Sequence, residues 1–137
     1  MKVTLKQEGN DALFHVETEN GQVSKVHAPL VKGTEKQAPS PMETLLVAAA
    51  GCTSVDVLLI LKKMKQPIEN LEIELEGKRK ELKNAKPFEQ LNFIYKITGT
   101  VDQKKADRAV KLAIEKYCSV LESLHPEIKI NYKIKIN

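Results

Sequence analysis

Apolar and polar residues alternate with a period of two at the start, middle and end of this chain, and a period near 3.6 fills two stretches between them. Lys2 to Gln7 alternates first. Ala12 to Glu19 does so again, with Ala12, Phe14 and Val16 pointing one way. Asn20-Gly21 separates that run from Val23 to Ala28, and both residues tolerate positive φ, so the pair predicts a type I′ hairpin turn. The expected product is an antiparallel meander with one wet and one dry face.

Pro29 to Pro39 reads as a loop, and Pro39-Ser40-Pro41 announces a helix. Ser40 suits the N-cap, Pro41 suits the first turn, and Glu43 stands three residues after the cap, completing a capping box. The helix is expected from Pro41 to about Lys65, ending before Pro67. One face carries Leu46, Ala49, Thr53, Val57, Ile60 and Met64, and another carries Leu45, Ala48, Cys52, Val55 and Leu59. A helix apolar on nearly all sides of its first half is normally buried between other elements. The small run Ala48 to Gly51 allows another backbone to come close.

Leu71, Ile73 and Leu75 alternate with Glu72, Glu74 and Glu76, a half-buried strand, and the basic, turn-rich stretch Gly77 to Phe88 continues it in part. Leu91, Phe93, Tyr95 and Ile97 mark the next strand, closed by Gly99. Asp102 can cap a second helix over Gln103 to Cys118, whose stripe is Ala106, Ala109, Val110, Ala113, Ile114 and Tyr117. A short helical piece, Ser119 to Leu124, follows, and a final strand runs from Ile128 to Ile136. No repeat or linker divides this order. The fold class is α+β, with antiparallel sheet and packed helices in a single domain, residues 1–137.

Charge narrows the choice of partner. Lys plus Arg is 22 and Asp plus Glu is 18, for a net charge of +4. The basic runs Lys62-Lys63-Met64-Lys65 and Lys78-Arg79-Lys80 are flanked by acids, and Trp is absent, so no stripe with stacking aromatics invites nucleic acid. The apolar run Leu45 to Cys52 is far below the ~20 residues that cross a bilayer, and the alternating N-terminus does not resemble a signal peptide. The expectation is a cytoplasmic protein with no membrane partner, in a reducing compartment where a structural disulfide is unexpected.

Chemistry then rests on Cys52 and Cys118. Cys52 lies within the apolar helix, with Asp56 four residues on and on the same side. Burial and a neighbouring carboxylate both raise a thiol pKa, which favours an inert core thiol. An ionisable Asp among apolar residues, however, calls for a partner, a cleft or a subunit boundary. Cys118 either ends the second helix or starts the short piece after it. In the second case backbone N–H groups would lower its pKa. His15, His27 and His125 share no metal-ligand spacing with each other or with the cysteines, so neither a metal nor another cofactor is expected. Isolated Gly33, Gly51 and Gly77 make no phosphate loop, and Glu72 and Glu74 read as solvated acids.

Ser40-Pro41-Met42-Glu43-Thr44-Leu45-Leu46, Ala48-Ala49-Ala50-Gly51-Cys52 and Lys116-Tyr117-Cys118-Ser119-Val120 together resemble the OsmC/Ohr family, and the element order between them agrees. The resemblance implies an OsmC-like fold, antiparallel sheets wrapping a long buried central helix in an intertwined homodimer with active sites at the subunit boundary. It implies a thiol-dependent peroxidase for organic hydroperoxides, regenerated by a dithiol reductant, with Cys52 as the peroxidatic and Cys118 as the resolving cysteine. Glu43 and Asp56 are the supporting candidates. The alternative is a non-catalytic OsmC-like dimer that binds a small apolar ligand. The family's peroxidases use an arginine from an N-terminal loop and a glutamate directly after the proline, and their later motif is usually Cys-Pro. Here no arginine precedes Arg79, Met42 follows Pro41, and Ser119 follows Cys118, a pattern closer to a less characterised branch.

Overall fold

The computed structural model describes residues 1–137, which divide into two compact units, Met1–Leu45 and Leu46–Asn137. In the first unit, β1 (Val3–Gln7), β2 (Leu13–Thr18) and β3 (Val23–His27) form an antiparallel sheet in the order β1-β2-β3. The turn after β2 corrects the type I′ expectation. Only Gly21 has positive φ, at 84°, while Asn20 stays outside that region. Gly21 N–H donates to Thr18 O at 3.0 Å, and the Thr18 hydroxyl accepts from Gln22 N–H at 3.1 Å. This longer connection needs the left-handed conformation at one corner only, which glycine supplies.

The Pro29–Pro39 segment carries no helix or strand, yet it is anchored. His27 is 1% exposed, and its Nδ1 accepts from Gln37 N–H at 3.0 Å, so Nε2 carries the proton and donates to Asp11 Oδ2 at 2.8 Å. The other Asp11 oxygen accepts from Ala12 and Leu30 N–H, both at 2.8 Å. One carboxylate thereby ties the start of β2, the end of β3 and the loop together. The His27 pair, then two backbone N–H bonds, hold Asp11 well below its ordinary range, at about 2.

The long helix, α1 (Pro41–Lys63), starts as its capping box requires. Glu43 N–H donates to Ser40 Oγ at 3.1 Å, and Ser40 N–H donates back to Glu43 Oε1 at 3.0 Å. Its burial differs from the sequence expectation. Ala49, Thr53, Val57 and Leu61, one i, i+4 row, are buried, whereas Val47, Val55 and Leu59 are 64%, 56% and 52% exposed. A lone sheet face covers only one stripe of a helix, so the remaining apolar residues lack cover within one chain. By length and composition the whole helix is apolar enough to cross a membrane, more so than the run Leu45 to Cys52 implies. Its inner row nevertheless belongs to a globular core, the pattern of a core helix.

In the second unit, β4 (Ile68–Arg79), β5 (Phe88–Gly99) and β6 (Lys129–Ile136) form a sheet in the order β4-β5-β6. β4 and β5 are antiparallel, but β5 and β6 are parallel, so the expectation of purely antiparallel sheet is corrected. The reason is the crossover. α2 (Gln103–Leu112), a π-helical turn (Ala113–Tyr117) and α3 (Ser119–Glu122) separate the two strands, and a helical connection returns the chain to the same end of a sheet. Leu91, Phe93, Tyr95 and Ile97 of β5 alternate inward and are buried, as are Ala106, Ala109 and Val110 of α2. Glu72 and Glu74 on the outer face of β4 pair with Lys96 of β5.

Candidate thiol centre

Cys52 sits in the middle of α1, and Asp56 follows one turn later. Cys118 comes from the other end of the unit's sequence, yet Cys52 Sγ, Cys118 Sγ and a carboxylate oxygen of Asp56 all lie within 4.8 Å of one another. Both cysteines are free.

The placement of Cys118 follows from local structure. The second helix is regular only to Leu112, and the expected continuation to Cys118 is replaced by the π-helical turn. Cys118 N–H bonds Ala113 O, five residues back, at 3.0 Å. The chain then leaves the helix with Cys118 extended, at φ −71° and ψ 105°, as the N-cap of α3. Its Sγ accepts from Leu121 N–H at 3.4 Å, the bond a serine or aspartate oxygen normally makes at that position. Of the two sequence alternatives, Cys118 therefore starts the short helix.

The expected effect on its acidity is reversed. At 3% exposure, burial pushes the Cys118 thiol up to about 11, and the neighbouring Cys52 acts in the same direction. The N–H groups of Leu121 and Val120 pull it down, but burial prevails. Asp56 Oδ2 is buried without any hydrogen-bond partner. The Tyr95 hydroxyl is likewise buried and unpaired: Thr53 lies beside it but donates its own hydrogen bond to Ala50 O at 3.1 Å. Burial raises the Tyr95 pKa accordingly.

Glu43 is not one of the three clustered residues. It pairs with Lys36 and accepts from Ser40, and these contacts, Lys36 first, hold its carboxyl at about 2. None of the histidines joins the cluster: His27 is bound to Asp11, and His125 Nδ1 accepts from Glu127 N–H at 3.1 Å.

Asp56 also lines a cleft of about 420 Å³ with Leu59, Lys63, Met64, Arg108 and Tyr117. Lys63 and Arg108 are absent from the sequence-based candidates. Lys63 follows Asp56 by two helical turns, a spacing visible in sequence, whereas only the packing of α2 brings in Arg108.

A long helix carrying one thiol, a helical crossover carrying another and two three-stranded sheets define a small α+β protein with a two-cysteine centre. Residues 33–133 match the family described as OsmC-like protein, and the chain belongs to that family. It is 37% identical over 119 residues to Protein YhfA of Escherichia coli K12, covering 85% of this chain and 87% of that one. The crystal structure of a hypothetical protein from Aquifex aeolicus VF5 superimposes with a TM-score of 0.82 at 36% identity, covering 99% of this chain and 96% of the other. An organic hydroperoxide resistance protein OsmC from Legionella pneumophila shares the fold with a TM-score of 0.72 at 20% identity, covering 98% and 97%.

Proposed function

We propose that this chain is a thiol-dependent peroxidase that reduces organic hydroperoxides, working as an OsmC-like domain, residues 1–137, in a cytoplasmic homodimer. The observation that carries the reading is the approach of two free sulfurs, from α1 and from the N-cap of α3, to within 4.8 Å. Family membership and the fold shared with a hydroperoxide resistance protein support it.

In the proposed cycle Cys52 sulfur attacks the O–O bond, displacing an alcohol and becoming a sulfenic acid. Asp56, the carboxylate in the cluster, takes up the Cys52 thiol proton and passes it to the departing alkoxide, which leaves as the alcohol. The Cys118 sulfur then condenses with the sulfenic acid, releasing water and forming a disulfide. An external dithiol reduces that disulfide and is itself oxidised. Sulfurs within 4.8 Å must close to a bond of ~2.05 Å, so the condensation requires both side chains to turn toward each other. Glu43 contributes at one remove, by fixing the first turn of the helix that carries Cys52.

Substoichiometric cumene hydroperoxide tests this directly. Intact mass should fall by two hydrogens, with the new bond mapped to Cys52 and Cys118, and Cys118→Ser should accumulate a dimedone-reactive Cys52. Unchanged peroxide consumption by Cys52→Ser would refute the assignment.

A second reading, a non-catalytic dimer binding a small apolar ligand, is favoured by the cleft of Leu59, Met64 and Tyr117 and by the absence of arginine before Arg79. Thermal-shift screening with fatty acyl and aromatic compounds distinguishes it. Shifts in a protein with peroxide-inert thiols would favour binding over turnover.

A further inference from the structure

We propose that Cys52, Cys118 and Asp56 form a binding site for a thiophilic divalent cation of the Zn²⁺ type. A redox pair accounts for two sulfurs that meet across the fold. It gives the carboxylate beside them a proton to carry but leaves its Oδ2 buried with no donor, a need that a bound cation would meet. A carboxylate oxygen without a donor is unfavourable in a buried position, and a cation satisfies it while compensating the two sulfurs.

The donor set suits such an ion. Zn²⁺ takes thiolate sulfur at about 2.3 Å and carboxylate oxygen at about 2.0–2.2 Å in tetrahedral sites. Those bond lengths place ligand atoms roughly 3.5–3.8 Å apart. The three donors here already lie within 4.8 Å, so closing on an ion requires side-chain adjustment of about 1 Å. Cys52 and Asp56 are one helical turn apart, the spacing that presents two ligands on one face, and Cys118 supplies the third from another element. Leu121 N–H on Cys118 Sγ is an outer contact of the kind that orients a ligand. Two sulfurs select zinc-like ions over magnesium or calcium. Binding releases both thiol protons to solvent without any change of oxidation state, and three protein ligands leave a fourth position for water. An ion held this way occupies both sulfurs, so the loaded protein is expected to resist peroxide and alkylating agents.

Co²⁺ added to reduced, chelator-stripped protein under argon should produce a sulfur-to-metal charge-transfer band saturating at one ion per chain, and Zn²⁺ should abolish it. Asp56→Asn, which keeps the side-chain shape, should weaken Co²⁺ binding by roughly tenfold or more while retaining the band. Cys52→Ser and Cys118→Ser should each diminish the band. One equivalent of Zn²⁺ should also slow iodoacetamide labelling of both cysteines. Absence of a charge-transfer band at saturating Co²⁺, or unchanged affinity in Asp56→Asn, would overturn the site. None of these readouts involves peroxide, so the peroxidase reading and this one fail separately.

Discussion

The sulfur of Cys118 accepts an N–H bond from Leu121 and is nonetheless harder to ionise than a free thiol. Removing a charge from water outweighs one long N–H···S contact. At the same scale, Asp11 shows the opposite balance, because it keeps three donors and remains partly exposed. Its folded pKa of about 2 lies below its ordinary 3.8, so its stabilisation is complete above about pH 4 and is lost as pH falls toward 2. Asp11→Asn should flatten the acid limb of a pH-dependent thermal melt and lower the neutral-pH Tm by several degrees. The amide must turn an N–H toward either His27 Nε2–H or the backbone donors, and His27 cannot switch tautomer without facing Gln37 N–H. An acid limb identical to that of the parent protein would count against this account. Nothing in the sequence pairs Asp11 with His27, since the contact depends on strand register.

Among the elements, α1 was the most legible. Its capping box is present as Ser40 and Glu43 imply, and its end at Lys63 lies close to the expected one. β4 and β5 were harder to delimit, because Gly77 and the basic residues after it look like turn material while the strands extend to Arg79 and from Phe88. The glycine has a packing role. A Cβ there would lie 2.3 Å from the Phe88 ring and 3.1 Å from Leu46. Gly77→Ala should therefore destabilise by about 1–3 kcal/mol in urea unfolding. Phe88→Leu in the same chain should recover part of that loss, and an additive double mutant would contradict the steric explanation. The π-helical turn had no sequence signature, yet it sets where Cys118 leaves the helix.

For the molecule as a whole, the apolar outer side of α1 is the dominant feature. Val47, Val55, Leu58 and Leu59 are exposed in a single chain, an arrangement that under the proposed homodimer a second copy would cover. Val55→Lys should then shift the protein from dimer to monomer in size-exclusion chromatography with light scattering. A parent chain that runs as a monomer at micromolar concentration would remove that proposal. The +4 charge gives no comparable clue to assembly, since charges such as Lys96, Glu72 and Glu74 compensate each other across the sheet.

Periodicity and capping chemistry determined the element types, their order and the α+β class, because those depend on neighbours within a few residues along the chain. The motifs around Cys52 and Cys118 also carried the family. Tertiary structure alone decided that β6 runs parallel to β5, that Arg108 faces the same cleft as Asp56, and that two sulfurs and the Asp56 carboxylate, one oxygen of which lacks a donor, meet. Each of those depends on where a crossover returns the chain and how a helix is rotated, and small changes in either leave the local hydrophobic pattern untouched.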